Sequence, residues 1–331
     1  MNDSETGLEK KEPELREDEA LALLTARDNG IFEVLAVSDE ARRRNFGDQV
    51  KLCGIMNAKS GRCSENCSFC AQSSHFSADA DVFPLKDRAD MVARARKIKD
   101  TGCRAFSIVT SGKGISDQEL DEICRAVEEI KSSFKIECCA SLGILDEKQF
   151  KRLTDAGLDR YHHNLETAES FFPQVCTTHD YAEDVQTVVI AKESGLEVCS
   201  GGLFGLGESP EQRIELAMTL KKLDVDSTPI NFLNPIPKTP LAGDLRLTPE
   251  ECLRTIAVYR LLMLDTDILV CGGREVNLRQ LQTLIFAAGA NGVMVGDYLT
   301  TQGRGIEDDL KMIADLGLRP ARPFGGLREK N

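Results

Sequence analysis

Apolar, β-branched runs that end in small or polar residues alternate along most of the chain with amphipathic stretches that end near glycine. The runs fall at 52–59, 104–112, 135–143, 160–166, 196–208, 227–237, 267–275 and 291–299. Between them, 90–102, 117–134, 146–158, 181–195, 210–223, 249–263 and 277–289 carry the spacing of helices with one buried face. Roughly eight strand–helix alternations predict an α/β fold, a (β/α)8 barrel of the TIM type. A doubly wound open sheet uses similar units and stays as the alternative. Residues 1–50 read as an N-terminal helical extension packed outside the barrel, with a mobile acidic start, MNDSETGLEKKEPELREDEA. No linker or low-complexity tract divides 51–331, which reads as a single barrel domain.

Composition narrows the function. The 331 residues are 41% hydrophobic, enough for a large core, and carry a net charge of −13 with Lys and Arg dispersed. Such a surface does not suit nucleic acid or anionic membrane. The start lacks the basic and apolar regions of a signal peptide, and no stretch reaches the roughly 18 uncharged apolar residues of a membrane helix. The expected location is the cytoplasm. Twelve cysteines there point to metal or redox chemistry rather than to disulfides.

The densest group is CSENCSFC, where Cys63, Cys67 and Cys70 follow the first predicted strand and so lie at the C-terminal mouth, the catalytic end of such barrels. Three thiolates can hold three irons of a 4Fe–4S cubane and leave the fourth open to a substrate. A structural zinc site, which needs a fourth protein ligand, and scattered core cysteines are the alternatives.

This C-x3-C-x2-C loop resembles that of the radical S-adenosylmethionine (SAM) enzymes. The resemblance implies that SAM binds the open iron and is cleaved to a 5′-deoxyadenosyl radical. CSENCSFCAQSS, RYHHNLET, EVCSGGLFGLGE, PINFLNPIPKTPL, GGRE and GANGVMVGDYLTT, in that order, resemble the biotin synthases. Those sulfurtransferases insert sulfur between C6 and C9 of dethiobiotin, consuming two SAM and drawing the sulfur from a second, auxiliary iron–sulfur cluster inside the barrel.

The resemblance implies SAM contacts at Phe69, Thr110, Ser111, Glu166, Gly201, Gly202 and Leu203, with the further glycines Gly205 and Gly207 allowing close backbone approach. It implies dethiobiotin contacts at Asn164 and Asn231, whose amides both donate and accept, as a ureido group requires. Asn164 and Glu166 share a strand face by the period of two. The family also implies an electron donor such as flavodoxin or ferredoxin, iron–sulfur assembly proteins and a homodimer.

Three positions depart from the family. Asp184 stands where an arginine pairs with the SAM carboxylate. Of the auxiliary cluster's usual three cysteines and arginine, Cys139 and Cys199 are present, while Ser107 and Leu269 replace the other two. Cys271, two residues past Leu269 and facing the same way about 6.6 Å nearer the mouth, offers a third thiolate. Cys139, Cys199 and Cys271 would then converge from the third, fifth and seventh strands. Three thiolates without arginine suit a 4Fe core with an extra sulfide, as in a variant branch of the family, better than a 2Fe–2S core.

Cys103, Cys124 and Cys252 read as small buried hydrophobes and Cys138 as outward-facing, while Cys53 and Cys176 carry no assignment. The rival functions are a hydrogenase-maturation or methylornithine-forming relative, or a non-enzymatic iron–sulfur electron carrier.

Overall fold

The computed structural model describes residues 15–26, 30–243 and 247–321. Residues 1–14 of the expected acidic start lie outside them. The runs form a closed parallel barrel of eight staves. The first four are β1 (Gln49–Lys59), β2 (Ala105–Thr110), β3 (Glu137–Ser141) and β4 (Arg160–His162). The fifth is interrupted, with β5 (Glu197–Cys199) and β6 (Gly202–Phe204) both pairing with β7 (Ser227–Phe232). The barrel ends with β8 (Asp267–Val270) and β9 (Gly292–Met294), and β9 pairs back to β1. A two-residue β10 (Arg319–Pro320) lies against the start of β1. Closure settles the choice between barrel and open sheet.

Helices α1 (Glu17–Thr25) and α2 (Ile31–Phe46) precede the barrel. Helices α3 (Arg88–Asp100), α4 (Asp117–Ser133), α5 (Glu147–Asp155), α6 (Tyr181–Glu193), α7 (Pro210–Lys222) and α8 (Pro249–Leu262) follow the first six staves. Ser116, Asp146, Ser209 and Thr248 accept N–H bonds from the first turns of α4, α5, α7 and α8, each worth about 1 kcal/mol. Helix α1 packs on α7 and α8, and α2 on α8. Covered on both sides, α8 buries even Arg254 and Arg260, whose guanidiniums bond backbone carbonyls of Leu23 and Gly289.

The helix expected at 277–289 is broken. It becomes α9 (Arg274–Leu278), a 3-10 turn at Arg279–Leu281 and α10 (Leu284–Ala287), followed later by α11 (Ile306–Asp315). Arg279 has φ +52°, which ends the helical path, and Asn277 Nδ2 is held by the carbonyls of Leu233 and Gly273 at 2.8 and 2.9 Å.

Register fixes which inward residues share a level. Ile55 pairs with Ser107 and Ser107 with Cys139, so Cys139 stands two residues above the level of Cys53. Cys139 pairs with Arg160 and His162 with Cys199, which adds two more. Cys199 pairs with Ser227, and Pro229 with Leu269, adding a third pair. Leu269 pairs with Gly292 and Gly292 with Lys51, so the return to Cys53 adds the fourth. Four steps of two match a shear of about 8, for which each interior layer takes one side chain from every second stave. Cys53, Cys139, Cys199 and Leu269 therefore form one layer.

Two residues lower on the same four staves stand Lys51, Glu137, Glu197 and Asp267, with Arg160 of the intervening layer just above them, and these charged groups form the floor. Lys51 pairs with Asp267, Arg160 with Glu197 and Glu137, and Asn291 Nδ2 donates to Asp267 at 2.8 Å. Burial alone would raise Asp267, but Lys51 and Arg160 outweigh it and hold the carboxylate charged. Removing one partner would strand the other charge at a cost of about 3–5 kcal/mol.

Gly273, just past β8, has φ +76°, and a Cβ there would meet the Phe232 carbonyl oxygen at 1.9 Å. Gly273→Ala should cost at least ~2 kcal/mol, read as a lower denaturant midpoint at unchanged slope.

Candidate functional site

A cavity of about 450 Å³ opens at the C-terminal end of the staves. Its mouth is built by the chain after β1, which folds back on itself. Cys63 N–H donates to Gln72 O at 2.9 Å, Ser74 N–H to Cys63 O at 2.8 Å and Cys70 N–H to Cys67 O at 3.0 Å. Ser73 Oγ donates to Glu65 O at 2.6 Å. These bonds turn the Cys63, Cys67 and Cys70 thiols, all partly buried, into the cavity.

Burial pushes Cys70 up to about 11, and the nearby Cys63 and Glu166 add to the shift. Burial likewise raises Cys63. The Cys67 and Cys176 sulfurs share one proton-binding contact, which raises Cys67 and lowers Cys176. Three crowded sulfurs that resist ionising together suit a polycationic core, and thiolates suit iron. The donor set fits a 4Fe–4S cluster.

Asp184 does not point at open space. Its carboxylate, 4% exposed, sits 2.8 Å from His163 Nε2 and 3.1 Å from His179 Nε2. His179 Nδ1 meets Glu65 Oε2 at 2.6 Å, and Thr178 Oγ1 donates to the same oxygen at 2.6 Å. This chain of groups ties the cysteine loop to α6 and to the segment after β4. The hydrogen bond to Asp184, with help from Glu65 and against burial, raises the His179 imidazole to about 9, so it is protonated at neutral pH.

The remaining expected residues mostly gather in the same cavity. Phe69 and Leu203 form an apolar shelf with Val175, Leu206 and Leu233. Thr110 Oγ1 is buried with no partner among the described residues, whereas Ser111 Oγ donates to Gly61 O at 2.9 Å. Glu166 is pushed up to about 7 by burial. Its nearness to Asn164, 3.4 Å from Nδ2, does not come from an extended strand, because β4 stops at His162 and Glu166 has φ +62°.

Asn164 Oδ1 accepts from Gly201 N–H at 3.2 Å, and Asn231 spans Gly202 O and Gly272 N–H at 3.2 and 3.0 Å. Each amide keeps one N–H and one lone pair unspent. Gly201 and Gly202 pack against Pro229 and against Glu166 and Leu216 rather than facing the cavity, since a Cβ would lie 2.0 Å from Pro229 O and 2.6 Å from Leu216. The turn at Gly205 and Gly207 is filled by its own Glu208, whose carboxylate accepts from Gly205, Leu206 and Gly207 N–H at 2.8–3.2 Å.

Cys139, Cys199 and Cys271 all line the deep end. The first two share a layer with Leu269, and Cys271 stands one step nearer the mouth above it. Ser107 lies beside them. Sequence reasoning missed two neighbours there, Cys53 on β1 and Arg160 on β4. Burial raises Cys139 and Cys199, and Arg160 opposes both shifts. It also missed Lys113 at the rim, 2.9 Å from Glu183. The run of Cys139 and Cys138 alternates as expected, with Cys138 buried in the shell outside the barrel.

Residues 58–220 match the radical SAM superfamily, and residues 229–319 match the biotin and thiamin synthesis associated domain. Biotin synthase of Geobacter sulfurreducens is 56% identical over 92% of this chain and 93% of its own, and that of Citrifermentans bemidjiense is 52% identical over the same shares. The chain belongs to the biotin synthase family. Among solved structures, methylornithine synthase (TM-score 0.82, 19% identity) covers 94% of the chain and 95% of its own. The hydrogenase maturase HydG of Carboxydothermus hydrogenoformans (TM-score 0.82, 16% identity) covers 93% and 76%. At those identities they share the fold alone. Among the described residues no helix is long and apolar enough to cross a membrane.

The histidine tie has a pH signature. His179 is raised from 6.5 to about 9 in the folded state, so its contribution is full below about 6.5 and is lost as pH rises through about 9. The thermal midpoint should fall from pH 7 to pH 10, and His179→Gln should remove that part of the fall.

Proposed function

We propose that this chain inserts sulfur between C6 and C9 of dethiobiotin with two SAM molecules, as the biotin synthase family does. The observation that carries this reading is one cavity with cysteines at both ends: Cys63, Cys67 and Cys70 at the mouth, Cys139, Cys199 and Cys271 near the floor, and room for small molecules between. When bound, a 4Fe–4S cluster at the mouth supplies the electron that cleaves SAM, and an auxiliary cluster at the floor supplies the sulfur.

The chain's own residues then bind, aim and seal. The Phe69–Leu203 shelf takes the adenine, the Thr110 hydroxyl is free for the methionine part, and Glu166 meets the ribose. Asn164 and Asn231, each with one donor and one acceptor left over, bracket the ureido group. Asp184 is committed to two histidines and does not bind SAM. Of the Lys and Arg residues in the lining, Arg160 is locked between carboxylates at the floor, which leaves Lys113 at the rim to pair with the SAM carboxylate. The floor donors fit a 4Fe core, because three thiolates surround Leu269 where an arginine is absent and Arg160 offsets part of their charge. A flavodoxin or ferredoxin as reductant, iron–sulfur assembly proteins as suppliers and a homodimer complete the proposal; sedimentation of the anaerobic protein tests the last.

A methylornithine-forming or hydrogenase-maturing activity has no use for the floor cysteines, and an electron carrier needs no space between two thiol sets. Biotin formation from dethiobiotin by the anaerobic protein decides among them.

Replacing Cys63, Cys67 or Cys70 by Ala should abolish reductive formation of 5′-deoxyadenosine while the circular dichroism of the barrel stays unchanged. Deoxyadenosine at the parent rate from the triple alanine variant would refute the role of the loop.

Cys271→Ala should keep the iron of the mouth, lose auxiliary iron and make no biotin in a single turnover. Ser107→Ala should keep both sets of iron, since a neutral hydroxyl is a poor ligand beside thiolates. Mössbauer spectra and iron counts on both variants separate the three-cysteine site from a distorted 2Fe–2S one.

A further inference from the structure

Cys53 has no part in the family's chemistry as read above, yet its surroundings are those of a ligand. It lies on β1, the stave that closes the barrel, pairing on one side with Ala105 and on the other with Met294. Register puts it in the same interior layer as Cys139 and Cys199, with Leu269 as the fourth member. Cys271 stands one step above Leu269. The four thiols thus come from the first, third, fifth and seventh staves, three at one level and one nearer the mouth.

Four donors that surround a volume without lying in one plane are what a cubane with four irons needs. Three other buried cysteines differ, and a fourth, Cys176, lines the cavity at the mouth beside Cys67. Cys103, Cys138 and Cys252 do not line the cavity and belong to the shell between staves and helices. Cys53 is half-buried, and what remains accessible faces the cavity.

We infer that Cys53 is a fourth thiolate ligand of the auxiliary cluster, together with Cys139, Cys199 and Cys271. This rests on the reading that those three cysteines hold that cluster. Binding replaces the S–H bond of Cys53 with an Fe–S bond and releases the proton to water, with no change of oxidation state. Arg160, next to the same layer, compensates part of the added charge. Were hydrosulfide to bring an extra sulfide to the fourth iron, Cys53 would be the ligand displaced, and its thiolate would take up the proton that the hydrosulfide gives up.

The test uses the full chain, reconstituted anaerobically, with Cys53→Ala, Cys53→Ser, Cys271→Ala and Cys103→Ala compared by iron and sulfide counts, Mössbauer spectra and native mass spectrometry. Both Cys53 variants should lose at least one auxiliary iron per chain while the iron at the mouth stays, and Cys103→Ala should match the parent. If Cys271→Ala loses auxiliary iron but both Cys53 variants keep the full count and the parent spectrum, the role of Cys53 is refuted and the three-cysteine site stands. If Cys271→Ala also keeps full auxiliary iron, the underlying site itself is wrong. Should Cys53→Ala fail to fold, Cys53→Ser, which preserves shape and removes the thiolate, decides by the same count.

Discussion

In a closed barrel of parallel strands, every second side chain from every stave must share one narrow interior. Here that constraint is met in two ways at two heights. At the lower level Lys51, Glu137, Glu197 and Asp267, with Arg160 beside them, fill the space with charges that neutralise one another. Above it, three of the four members of the next layer on those staves are cysteines rather than bulky branched residues, with Leu269 as the fourth, and a hollow remains. The site exists because small side chains occupy the layers over a solid floor.

The mouth obeys a different logic. A loop carrying three thiols has no regular ladder to hold it, so its geometry depends on side chains from elsewhere. Glu65, inside the loop, reaches His179 and Thr178, and His179 reaches Asp184 at the start of α6. Where relatives are expected to place a cation for SAM, this chain places an anion that organises two imidazoles instead. The residue here gives support, and a cation that does line the rim is Lys113.

The alternation of runs and amphipathic stretches made the barrel legible in the sequence, because strands buried on both faces and helices buried on one have different periods. The cysteine loop was legible too, since its spacing is local. What escaped depends on contacts between distant segments. The break at Asn277 and Arg279 comes from a bond to Leu233, which a pattern of apolar positions does not record. The parity of Cys271 relative to Leu269 could be read from one strand, but its level relative to Cys139 could not, because level is set by pairing around the whole barrel. Cys53 was hidden for the same reason: in LCGIMNAK both faces are covered, so no alternation marks the inward side.

The sealed floor makes the barrel a vessel with a single door. Whatever reaches the deep thiols must come in past Cys63–Cys70, and whatever leaves must go out the same way. If those thiols hold the sulfur-donating group, it would have to be installed before the outer position and the two small molecules were in place. Refilling it between rounds would require the doorway to be cleared. Order of loading, and not only affinity at either end, would then bear on how many rounds one copy of the chain completes.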